Sequence, residues 1–291
     1  MELQIVNPDP RYAPAALLEP TTSGYIHIGA EVRPPPRPGP LLFRGRAKRH
    51  LLATLDELAR RLERERAVEK VTVYEAVAIP PFSRFPYVKD RAGEIRFPRF
   101  DVVVLVETTS PAALRDVQAT APYRELLDTL RAHARRVHVV AARNAKRMGD
   151  VDKTRQGLFL FNYFVADDAE RALRLWDHLA AWYQVETGLD NSTLLVPLEG
   201  ERSDYLAINH ARWDESVPRF MSRQLLKRSF RTFVQANLAA NRVGAMPVLY
   251  RLARPERRAV LPALPVVVGT AAVLAAGVTA MALRRGRRRR S

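Results

Sequence analysis

Two strand-like runs, RVHVVAAR at residues 136–143 and GLFLFNYFVAD at residues 157–167, flank the polar connection NAKRMGDVDKTRQ at residues 144–156. Both runs are apolar and rich in β-branched or aromatic residues, whereas the connection is charged and holds turn formers. The connection therefore reads as a hinge. The chain on either side of it repeats one order of elements, which makes the hinge the seam of a duplication.

On the N-terminal side, YIHIGAEV (25–32) alternates as a strand does, and RPPPRPGP (33–40) is a stiff polyproline-type connector. A helix follows, because Leu51, Leu52, Leu55, Leu58, Ala59 and Leu62 recur at spacings of three and four. Residues 68–80 form a second strand, and FDVVVLVE (100–107) is so apolar that both of its faces must be covered. A helical stretch opens at Pro111, is interrupted at Pro122, and leads to the strand 136–143. The order is β-α-β-β-α-β, the split βαβ pattern. After the seam come a strand at 157–165, a helix at 168–186 stopped by Gly188, and an antiparallel pair at 192–200 and 203–213. A broken helix over 215–242 and a closing strand at 246–254 complete the second copy. Tyr123-Arg124 and Phe230-Arg231 occupy corresponding places.

Two segments fall outside the repeat. Residues 1–24 carry Pro8, Pro10, Pro14 and Pro20 and read as an extended arm. Residues 81–99 carry Phe82, Phe85, Tyr87 and Phe97 among basic residues and read as a surface loop acting as a lid or docking element.

The 291 residues are 47% hydrophobic, ample for a packed core. The absence of cysteine excludes disulfides, thiolate zinc sites and a cysteine nucleophile. No HExxH, GxSxG, P-loop or GxGxxG pattern occurs, and the histidines lack metal-ligand spacing, so no metal or cofactor is expected. The net charge is +16, and six arginines lie in the last eight residues, 284–291. Beside them, residues 259–283 carry no charge and, as a helix, would measure roughly 35 Å, enough to span a bilayer. No basic-then-apolar leader opens the chain. The expectation is a single-pass C-terminal anchor with the domain in the cytoplasm and membrane lipid as a partner. Nucleic acid is disfavoured, because the densest charge adjoins an apolar run and not base-stacking aromatics.

The stretch FNYFVADDAERALRLWDHLAAWYQVETGLDNSTLL, together with YLAINHARWDESVPRFMSRQLLKRSFRTF, resembles the antibiotic-biosynthesis-monooxygenase-like family of dimeric α/β barrels. The features shared are a first strand, a helix ending before a glycine, a strand ending in the corner Trp213-Asp214, and a helix with an aromatic followed by a basic residue. The resemblance implies an α+β fold in which two ferredoxin-like units, 25–143 and 157–254, form within one chain the barrel that relatives form from two. It also implies a ligand pocket with candidates Asn162, Tyr163, Trp182, Asn209, His210 and Trp213. Heme-degrading relatives use a Trp and a His on the last helix, and residues 217–240 contain neither, so that chemistry does not carry over. Three functions follow: binding of a small aromatic or apolar ligand at the membrane, cofactor-independent oxygenation of a phenolic or quinone-type substrate, or binding of nucleic acid or anionic lipid through basic charge.

Overall fold

The computed structural model describes residues 2–32 and 45–253. The proline-rich connector at 33–40, the expected anchor at 259–283 and the basic tail at 284–291 lie outside them. Among the described residues no helix is long and apolar enough to cross a membrane.

The first half runs β1 (Gly24–Glu31), α1 (Arg46–Leu62), β2 (Val68–Ala78), α2 (Pro86–Asp90), β3 (Val102–Thr108), α3 (Leu114–Ala119), α4 (Ala121–His133) and β4 (Arg136–Gly149). The second runs β5 (Leu158–Ala166), α5 (Ala169–Thr187), β6 (Ser192–Pro197), β7 (Ala207–Trp213), α6 (Val217–Leu225), a π-helical turn (Phe230–Gln235), α7 (Ala236–Ala240) and β8 (Val243–Leu252). Local chemistry sets the ends. The Thr120 hydroxyl caps α4 at the Tyr123 amide, and the Asp168 carboxylate caps α5 at the Arg171 amide. Gly188, at φ 70°, takes the left-handed turn that stops α5. The break expected at Pro122 falls at Thr120, whose extended backbone separates α3 from α4, and Pro122 itself lies in the first turn of α4, where its missing N–H costs nothing.

The strands close into one barrel in the order β1-β3-β2-β8-β5-β7-β6-β4. Each half supplies a sheet with its first strand between its third and fourth. The sheets join where β2 pairs β8 (Tyr74 opposite Leu252) and β4 pairs β6 (Arg143 opposite Val196). Every strand lies within Met1–Pro255, a compact unit by itself. Alternation along the strands divides the core in two. On the outer face of the first sheet, Ile26, Ile28, Val104 and Val106 pack against Leu55, Leu62, Leu126 and Leu130. Inside the barrel the halves meet through buried rings: Tyr74 reaches the His210 Nε2 at 3.1 Å and Tyr163 reaches the His27 Nε2 at 3.2 Å.

Two sequence-based expectations need correction, and one gains a partner. The connection read at 144–156 begins later, because β4 continues to Gly149 and pairs with β6. Its charged residues are accommodated in a strand since the Lys146 ammonium meets the Asp177 carboxylate of α5 at 2.6 Å. The 81–99 segment is no surface loop: Phe82, Phe85, Tyr87 and Val88 are buried, and the Tyr87 hydroxyl donates to Asp167 across the seam between halves. The N-terminal arm is strapped to the second half. The buried amides of Asn237 and Asn241 act as a strand edge would: the Val6 and Gln4 amides donate to their oxygens, and their NH2 groups donate back to the Val6 and Gln4 carbonyls.

Candidate functional site

On β5, Leu160, Asn162 and Phe164 share the face turned away from the barrel interior, toward α5. On β7, Asn209 and Trp213 share that face because Asn162 stands opposite Asn209 and Leu158 opposite Trp213. Helix α5 lays Trp176, Leu179, Ala180 and Tyr183 over them, a spacing of three, four and seven that defines one helical stripe. Between sheet and helices remains a cleft in two communicating chambers. The inner one holds Asn162, Asn209, Ser192 and Trp213; the outer one is walled by Pro80, Pro81, Phe220 and Met221. Phe85, Leu160, Tyr183, Gln224 and Pro247 border both. Phe85 belongs to the first half, so the insertion of one copy closes the cleft of the other.

The chambers enclose about 560 and 490 Å³ of space between atoms, open solvent included. They are narrow: most of that space lies too close to the walls to admit even a water molecule. A planar molecule enters such a slot more easily than a globular one, and side chains must part to admit it.

The polar groups in the cleft are few. The Asn209 Oδ1 accepts from the Ser192 hydroxyl at 2.7 Å, which leaves its NH2 as the group offered to the chamber. Opposite it, the Asn162 Oδ1 is buried without any donor. Gln224 donates to the Tyr183 hydroxyl at 2.7 Å, and burial pushes that phenol's pKa well up, so it stays protonated. The Trp213 indole N–H is already spent on Thr187 at 3.0 Å. Among the described residues no Asp, Glu, Lys, Arg or His lines either chamber. The cleft can orient a ligand through amides and a phenol, and none of its described lining side chains has the basicity to remove a proton at neutral pH.

Of the six residues singled out from the sequence, the structure brings Asn162, Asn209 and Trp213 together. Tyr163 and His210 point into the barrel. The Leu160 carbonyl accepts the His210 Nδ1 proton at 3.2 Å, which fixes Nε2 as the acceptor for the Tyr74 hydroxyl. Trp182 is fully buried beside Phe230, ring centroids 5.5 Å apart, with its indole N–H on Ser229. Sequence reasoning missed Tyr183 as a cleft residue, and with it Gln224, Ser192 and Phe85. The stripe spacing on α5 identifies Tyr183; Gln224 and Phe85 arrive from distant segments and carry no local signal.

In the first half the corresponding sheet face is covered by aliphatic side chains from α1 and α4. A more open hollow near Asp150 and Arg219 spends its charges internally, Arg212 on Asp214 at 2.5 Å and Arg155 on Asp214 at 3.1 Å. Among the described residues no cluster of His, Asp or Glu suits a metal ion.

No family model matches the sequence, and no curated protein matches it. Solved structures do. An anthrone oxidase-like protein superposes with a TM-score of 0.54 at 12% identity, covering 79% of this chain and 90% of its own. A candidate monooxygenase from Fusobacterium nucleatum subsp. nucleatum superposes with a TM-score of 0.50 at 5% identity, covering 80% of this chain and 94% of its own. At such identities the likeness is one of fold: a closed eight-stranded barrel of the dimeric α/β type.

Proposed function

We propose that the cleft of the second half binds a small, flat, largely apolar molecule bearing one hydroxyl or N–H donor, of which a phenol is the simplest example. One observation carries this reading: the Asn162 Oδ1, an acceptor buried without a donor, set in an apolar wall directly opposite a second amide. A buried acceptor left unpaired costs about 1–3 kcal/mol, and a ligand that donates to it recovers that cost. The apolar, aromatic walls supply the remaining affinity. Titration of the protein with 2-naphthol, followed by tryptophan fluorescence, tests it. The donor predicts at least about tenfold tighter binding than naphthalene, which lacks it. Equal affinities would overturn the reading, and native mass spectrometry of the purified protein would identify a co-purifying ligand.

The fold supports a second reading, cofactor-independent oxygenation of such a phenol, because a narrow cleft excludes water and offers the Asn209 amide to a developing oxyanion. With no base among the described lining residues, this reading applies best to substrates that already ionise near neutral pH. Oxygen uptake with an anthrone-type substrate distinguishes catalyst from binder. The uncharged run at 259–283 supports, in addition, attachment to a membrane. Truncation after Arg258 should then convert a carbonate-resistant membrane protein into one that salt removes.

A further inference from the structure

Helix α6 forms one wall of the outer chamber through Phe220, Met221 and Gln224. Its other side faces water. From Ser216 to Asn241 the chain carries no acidic residue, yet Arg219, Arg223, Lys227, Arg228 and Arg231 fall within fifteen residues, 217–231. Helix α1 is also rich in arginine, but Asp56, Glu57, Glu63 and Glu65 interleave its basic residues and those that follow it. Arg219 is 73% exposed, and Arg228 and Arg231 are exposed as well. In the middle of this basic segment stands Leu226, 83% exposed, the most exposed large hydrophobic side chain among the described residues. Val185, 51% exposed, belongs to the same patch, because the Lys227 ammonium bonds the carbonyl of the adjacent Glu186. An exposed leucine costs free energy in water, and although Glu215 pairs Arg219 and Arg223 and Glu186 pairs Lys227, no described carboxylate pairs Arg228 or Arg231. An interface that is apolar in its depth and negative at its rim relieves both.

The strand registers fix where this patch sits. Leu158 lies opposite Trp213 and Phe159 opposite Tyr250, so β7 and β8 end at the same rim of the barrel. Helix α6 starts at Val217, just after β7, and β8 ends at Leu252 on that rim.

We propose that α6 and the turn after it, through Arg231, form a docking surface for an anionic phospholipid bilayer, with Leu226 entering the acyl boundary and Arg228 and Arg231 on lipid phosphates. Docked this way, the outer chamber opens beside the lipid, and its ligand reaches the cleft from the membrane without crossing water. The delivery step rests on the cleft reading; the docking itself does not.

The test uses the chain ending at Pro255, which keeps the whole barrel, in co-sedimentation with phosphatidylcholine vesicles with and without about 30 mol% phosphatidylserine. The expected result is sedimentation with the anionic vesicles only, lost in about 0.5 M salt. Leu226→Ser weakens it, and Arg228→Ser with Arg231→Ser weakens it about fivefold per charge. Arg60→Ser with Arg131→Ser removes the same charge from the first half and changes it less than about twofold. Equal loss from both double variants, indifference to Leu226→Ser, or binding to neutral vesicles overturns the proposal. In solution, 2-naphthol affinity of Leu226→Ser stays at the parent value. Vesicle binding without any naphthol binding would sink the cleft reading and leave the docking surface standing.

Discussion

Asn162 of β5 and Asn209 of β7 stand directly opposite one another across an antiparallel ladder, on the side of the sheet that faces the helices. One amide is satisfied by Ser192, and the other keeps a buried acceptor without a partner. Core positions on the first half's sheet hold isoleucine and valine. A fold under selection for packing alone would fill the second half in the same way, so the amide pair marks the place where the two copies part company.

Replacing Asn162 by leucine should therefore separate stability from binding. Removing the unpaired acceptor raises unfolding free energy by about 1 kcal/mol, while 2-naphthol affinity falls at least about tenfold. Urea denaturation and fluorescence titration measure the two effects. A loss of stability together with unchanged affinity would assign Asn162 to the core.

Phe85 is buried and borders both chambers. Phe85→Ala is expected to cost about 3 kcal/mol and to admit ligands one ring larger than naphthol. Deleting residues 81–99 should unfold the protein outright, since Phe82 and Val88 leave the core with it. A deletion variant with the parent melting temperature would restore the segment to the role of a detachable lid.

Acid should destabilise the barrel in the range where carboxylates are still ionised. Burial first, and then His138, holds the His27 pKa down to about 3; burial also depresses that of His210 strongly and that of His138. These rings stay neutral in the folded state, whereas the unfolded chain takes up protons below about pH 6.5. Stability is complete above that pH and falls as the pH drops, by up to about 1.4 kcal/mol per unit for each histidine until its folded pKa is reached. Denaturation midpoints between pH 7 and pH 5 report the slope. His27→Gln should flatten it, and a pH-independent midpoint would contradict the neutral assignment.

The arm should matter as much as a core element. Asn237→Ala leaves the Val6 amide and carbonyl without their partner, and a loss of about 2 kcal/mol is expected. Hydrogen exchange at Val6 should rise in the same variant; if it does not, the bonds between Gln4 and Asn241 hold the arm without Asn237.

Much of the fold was legible because each half repeats helical and strand periods in one order, and an apolar face on both sheets requires a partner. The site was half legible. Asn162 and Tyr163 are neighbours on a strand, as are Asn209 and His210, and neighbours on a strand point to opposite faces. No pocket of this kind could hold all four, and the paired register decides which two it holds. Trp182 and Tyr183 divide in the same way around α5. What the sequence withheld depends on contacts between distant segments: Phe85 reaching into the other copy, Lys146 finding Asp177, and the arm finding two asparagines on the last helix. None of these leaves a periodic trace.

The strap between the first residues and the last helix also sets a timetable. Val6 is separated from Asn237 by 231 positions, and at ribosomal rates of about 5–20 residues per second its partner is made some 10–50 s later. Until then Gln4 and Val6 lack these partners. The first half can pack its own helices while the second is still being made, but the barrel closes only when β8 reaches β2, and the strap only when Gln4 and Val6 meet Asn241 and Asn237.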